Sequence, residues 1–153
     1  MEETGKWHDG VRAASGYWSE RFPTASWEEV VAHYRTNYGD GSWGEEYRPM
    51  VGLVEEIAAS PYAAVLFGRF TPPCRMDHNQ GQLNLWHTRT LIDRYEMLAV
   101  SYVPADNWFL FEYHEAAYEP RPWATVCAAS DGFAKLEWVL NRRLRWFRRS
   151  VAT

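Results

Sequence analysis

Cys74, Asp77 and His78 fall within five residues of one another and are the first group in this chain with the types and spacing to do chemistry. A Cys and a His four apart can both bind zinc, but a tetrahedral structural site takes two more nitrogen or sulfur ligands. Those would have to come from His87, His114, Cys127, His8 or His33, and no second close ligand pair exists among them. A Cys74 nucleophile with His78 as its base needs a depressed thiol pKa, which spacing does not supply. The 72–82 segment therefore reads as a surface loop with a half-buried Cys. No metal and no cofactor are expected.

Glu112 and His114 form the second group. Two residues apart on a strand, they point to the same side. With Trp86 and Trp108 on that side, they make a candidate ligand- or partner-binding set, and Thr88, Thr90 and Ser101 belong to the same face. A positioned carboxylate and imidazole beside an aromatic wall is what acid–base chemistry requires. The plainer reading is an open antiparallel face whose polar residues need no task. His87 falls on the opposite, core face and reads as a hydrogen-bonded histidine. Arg142, Arg143, Arg145, Arg148 and Arg149 crowd the end of the last helix. There they complement the helix dipole, and Arg142, Arg145 and Arg149 share a face with Trp138.

These side chains depend on a stretch of three strands. Leu83–Ile92, Glu96–Val103 and Trp108–Glu115 alternate apolar and polar residues and are rich in β-branched and aromatic types. Asp93-Arg94 reads as a two-residue link and residues 104–107 (PADN) as a four-residue loop. Pairing Ile92 with Tyr95 and Val103 with Trp108 sets the rows. One face then carries Leu85–Tyr102–Phe109, His87–Val100–Phe111 and Arg89–Leu98–Tyr113. The other carries Trp86–Ser101–Leu110, Thr88–Ala99–Glu112 and Thr90–Met97–His114. The first face is the core, because Leu, Val and Phe meet at its centre.

The remaining elements follow from caps and breakers. Ser26-Trp27-Glu28-Glu29 is a capping box opening a helix over Trp27–Tyr38, with Gly39 as its stop. A second helix runs from Pro49 to Ala59 and ends at Ser60-Pro61. Tyr62–Phe70 reads as a strand with Gly68 as a bulge, and Trp123–Ala128 as a last short strand. A final helix starts at Ser130 or Asp131, runs to about Phe147, and buries Phe133, Leu136, Leu140, Leu144 and Phe147. Residues 1–25 are assigned loosely to a short helix that lays Trp7 and Trp18 on the body.

The whole reads as one domain, 1–153, of the α+β class: a mostly antiparallel sheet of four or five strands with three helices on one face. Net charge −4 argues against general nucleic-acid binding. Two cysteines make no disulfide framework, and no apolar run approaches the ~18 residues of a membrane span. A cytoplasmic protein without membrane attachment is expected. Nine Trp within 16% aromatic content exceed what one core needs. The expected function is non-enzymatic: binding or regulating a protein partner, such as another bacterial protein, through the aromatic sheet face. The alternative is a small enzyme or small-ligand binder using Glu112 and His114 or the 72–82 loop.

Overall fold

Ser26 begins the first helix as a capping box should. Its hydroxyl accepts from the Glu29 N–H at 3.2 Å, and the Glu29 carboxylate accepts from the Ser26 N–H at 2.9 Å. Helix α1 then spans Trp27–Tyr38 and buries Val30, Tyr34 and Tyr38. The computed structural model describes residues 25–70, 81–87, 96–115 and 123–147. Helix α2, Arg48–Ala59, carries its Pro in the first turn and buries Met50, Val51, Leu53, Val54 and Ile57.

Residues 61–66 are not strand. Pro61–Ala64 forms a 3-10 turn, started by the Ser60 hydroxyl accepting from the Tyr62 N–H. Tyr62 turns into the core instead, and its hydroxyl meets Glu137 at 3.2 Å and Asn141 at 2.8 Å. Strand β1 is thereby shortened to Phe67–Phe70. Gly68 is not a bulge either: it pairs in register with Leu85. Its lack of a side chain makes room for Trp27, whose indole a Cβ would meet at 3.0 Å.

Strands β2 (Leu83–Trp86), β3 (Met97–Val103), β4 (Trp108–His114) and β5 (Trp123–Ala128) complete a five-stranded antiparallel sheet in the order β1-β2-β3-β4-β5. The β3–β4 register is the one the sequence predicts, with Tyr102 opposite Phe109, Val100 opposite Phe111 and Ala99 opposite Glu112. Asp106 and Asn107 bond back to Val103 and Pro104, and Asn107 takes the left-handed conformation (φ 54°) that Asn tolerates.

The β2–β3 register differs from expectation. Leu85 lies opposite Leu98, not Tyr102, a shift of four residues along β3. An even shift keeps every side chain on its expected face and changes only its neighbours. The Asp93-Arg94 link, Arg89, Thr88 and Thr90 lie outside the described residues, as do residues 1–24 with Trp7 and Trp18.

The first face carries the core. Leu85, Val100 and Phe111 are fully buried and Phe109 nearly so, in one cluster with Leu136 and Leu140 of the last helix. Each such side chain contributes about 1.5–3 kcal/mol on burial. That helix, α3, runs Gly132–Trp138 and widens into a π-turn over Val139–Arg143, ending before the expected Phe147. The Leu144 N–H reaches back to Val139, Trp146 N–H reaches Leu140, and Arg145 adopts φ 56° to close the end. Lys135 lies over Trp138 at 4.4 Å, and Arg148 and Arg149 lie outside the described residues.

Candidate functional site

The second face is divided lengthwise. On its β2–β3 half Trp86, Met97 and Ala99 form a small buried cluster of their own, and Ser101 is 8% exposed. On its β4–β5 half Trp108 is 36% exposed and Val126 40%, with Ala124 and Ala128 also exposed and Leu110 half-buried. The register builds this open half in two rows: Val103–Trp108–Ala128, then Ser101–Leu110–Val126. No side chain in either row carries a charge.

The shifted register separates the two tryptophans expected to sit together. Trp86 pairs with Phe67 at the end of the sheet where Met97 pairs with His114. Trp108 lies at the other end, opposite Val103. Glu112 sits between, in the row Arg69–Asn84–Ala99–Glu112–Ala124. Of the four candidate residues, Trp108 thus stands at the exposed end, while Glu112 and His114 are half-buried and flank the buried Trp86 cluster. Within that region the Ser101 hydroxyl is buried and has no hydrogen-bond partner among the described residues, and Gln82 donates to the Asn84 side chain at 2.7 Å.

A further polar cluster occupies the first face, at the β2–β3 end. His87 Nε2 lies 2.9 Å from Glu96 Oε1, and the Tyr113 hydroxyl donates to the other Glu96 oxygen. Trp146 lies tilted against His87 with centroids 4.6 Å apart, Tyr113 stacks on Trp123, and Arg143 lies over Trp123 at 4.9 Å. Burial, then the bond to Glu96, holds the Tyr113 phenol well above its ordinary pKa. Glu96 and Tyr113 were not singled out in the sequence because the expected register put His87 opposite Val100. The signal that finds them is a row of polar residues at the strand ends, legible only once the register is known. As built, the cluster satisfies its own carboxylate and ties three strand ends together.

On the helical side a shallow groove of about 280 Å³ lies between α1 and α2, with Trp27 and Val31 in its wall and Glu28 and Arg35 on its rim. Cys127 is half-buried on the first face, and burial pushes its thiol up, away from the reactive thiolate. Cys74, Asp77 and His78 lie outside the described residues. Among the described residues no group of three or more His, Cys, Asp or Glu is placed to hold a metal ion. No described helix is long and apolar enough to cross a membrane.

No protein-family model, curated protein or solved structure matches this chain.

Proposed function

We propose that this protein is a non-enzymatic binding module whose contact surface is the Trp108 end of the second sheet face, and whose partner is another protein. The observation that carries this reading is the exposure of Trp108 beside Val126 on a strip where neighbouring strands offer only uncharged side chains. A partly exposed Trp on an apolar strip, with polar residues beside it, is the usual composition of a binding hot spot. Asp106 and Asn107 of the β3–β4 turn and Glu112 supply that polar rim. An open strip along β4 and β5 suits a protein surface better than a small molecule, which favours a concave site.

Site-specific photo-crosslinking tests it. A photoreactive phenylalanine at position 108 or 126 should give a discrete adduct with another protein in cells, and the same group at Glu28 on α1 should not. Trp108→Ala should abolish the adduct formed from position 126. Equal labelling from all three positions would remove the basis for the reading.

A second reading has its own observation, the unpartnered buried hydroxyl of Ser101. A small polar ligand held near Asn84, Glu112 and His114 would supply the missing partner, and a buried polar group without one costs about 1–3 kcal/mol. A thermal-shift screen of small polar metabolites separates the two. A stabilising compound whose effect disappears in Ser101→Ala favours the ligand.

A further inference from the structure

We propose that the outer side of α3 and its π-turn is a second contact surface, and that it takes an acidic segment of another protein. Lys135, Trp138 and Arg142 are spaced three and four residues apart, which sets successive side chains on one side of a helix. Arg145 follows at the corner that ends the π-turn. Trp138, Arg142 and Arg145 are exposed, and half-buried Lys135 lies over the Trp138 ring at 4.4 Å. The inner side of the same element, with Leu136, Val139 and Leu140, is core.

These cations lack a counter-charge. Elsewhere Arg35 pairs with Glu55 at 2.6 Å, Arg48 pairs with Asp40, and Arg143 covers Trp123. Among the described residues Lys135, Arg142 and Arg145 make no ion pair, although Asp and Glu outnumber Lys and Arg by 20 to 16 in the chain. The carboxylates nearby are engaged or stand aside. Glu137 accepts from the Tyr62 hydroxyl at 3.2 Å, and Glu96 is held by His87 and Tyr113. Glu115 acts on Tyr113, on the side where Arg143 covers Trp123, so Arg143 is not part of the strip. Asp131 lies one turn before Lys135, at the start of the strip, which leaves three positive side chains to one negative.

The backbone at Arg145 is a separate observation. Its φ of 56° is the left-handed conformation in which glycine or asparagine ends a helix with least strain. Glycine would close the same end, where Leu144 N–H reaches Val139 and Trp146 N–H reaches Leu140, without that strain. What arginine adds at this corner is therefore a cation outside the turn.

Size and charge choose among anions. Lys135 and Arg142 are separated by about 10 Å along the axis, at a helical rise of about 1.5 Å per residue. Nucleic acid binds tightly through about 6–10 phosphate contacts, more than this length offers, and a net charge of −4 repels a polyanion. A few carboxylates on a peptide match the strip, and arginine grips a carboxylate with two parallel hydrogen bonds. Trp138 between the cations adds an apolar contact, and Trp with Arg is the pairing that dominates binding hot spots. An acidic segment that also carries apolar side chains is the occupant whose chemistry fits. This surface lies on the helical side of the sheet and does not depend on the Trp108 face.

Fluorescence anisotropy of a labelled peptide of alternating glutamate and leucine, titrated with the full chain, tests it. Binding should saturate and weaken as salt rises, and the same peptide with glutamine for glutamate should not bind. Arg142→Glu should weaken the glutamate peptide by about tenfold or more with unchanged circular dichroism, and Trp138→Ala by about tenfold. Arg145→Gly should also weaken binding while its urea midpoint stays level or rises, which separates the side chain from the turn. Arg143→Gln, outside the strip, should bind as wild type does. No saturation at about 1 mM overturns the proposal, as does equal binding of the glutamine peptide. Full affinity in Arg142→Glu and Arg145→Gly, or an equal loss in Arg143→Gln, overturns it too. Tighter binding of a single-stranded oligonucleotide, lost in the same variants, would assign the strip to nucleic acid instead. Crosslinking through position 108 is read separately, so a failure here leaves the reading of that face intact.

Discussion

His87 Nε2 and Glu96 Oε1 meet at 2.9 Å across β2 and β3, where the ladder Leu83↔Val100, Leu85↔Leu98 would place its next first-face row. The bond is thus a direct readout of the register. Each side chain is about one-third exposed, so their coupling should be modest, about 0.5–1 kcal/mol. A double-mutant cycle with His87→Ala and Glu96→Ala, followed by urea unfolding, should return a favourable coupling of that size. Additive losses would mean that the two side chains do not meet in solution.

Gly132 should resist the usual stabilising exchange. Alanine is favoured over glycine within a helix by about 1 kcal/mol. Here an added Cβ would lie 2.6 Å from Phe109 Cε2, and that ring is buried and packed edge-on against Tyr102. Overpacking costs about 1–3 kcal/mol, so Gly132→Ala should lower the urea midpoint. Phe111→Ala, which empties the same region of core, should cost about 3–5 kcal/mol. A gain in stability from Gly132→Ala would show that the Phe109 ring yields easily.

Stability should fall at both ends of the pH range, for opposite reasons. Burial holds the phenols of Tyr34, Tyr47, Tyr62 and Tyr113 above the ordinary value of 10.0. A raised folded pKa gives stability that is complete below about 10 and is lost as pH climbs from there through the folded values. His33 is lowered from 6.5 by burial, so its contribution is present above 6.5 and is lost as pH drops through its folded value. His33 stacks flat on Phe70 at 3.8 Å, and its buried Nε2 has no hydrogen-bond partner among the described residues, so a proton added there would leave a charged N–H without an acceptor. Urea midpoints measured against pH should be flat between these limits. Tyr34→Phe should reduce the alkaline slope, and an unchanged slope would contradict the assignment.

Two tryptophans on one sheet face should respond very differently to truncation. Trp108→Ala removes an exposed side chain and should cost less than roughly 1.5 kcal/mol, while weakening binding through that face. Trp86→Ala opens a cavity around a residue only 3% exposed and should cost about 3–5 kcal/mol. Comparable losses would place Trp108 in the core and remove the surface on which the proposed function rests.

Several features were determined by the sequence alone because their causes are local. The Ser26–Glu29 box starts α1 where its residues say it should, and alternation places Leu85, Val100, Phe109 and Phe111 on the buried face. The β3–β4 hairpin is also legible, since a four-residue turn leaves few ways to join two strands. The alignment of β2 with β3 is another matter. The observed register is not the one that the Asp93-Arg94 turn signal implies, so that local signal did not fix it. Alternation has a period of two and is blind to a shift of four. The core therefore survived the misalignment, while every lateral neighbour of β2 changed. Tertiary structure alone decided that Trp86 lies beside the Met97–His114 pair and away from Trp108, and that His87 meets Glu96. Tyr62 follows the same division: its β-prone surroundings suggest strand, but a buried ring whose hydroxyl donates to Glu137 and accepts from Asn141 outweighs a propensity worth about 1 kcal/mol.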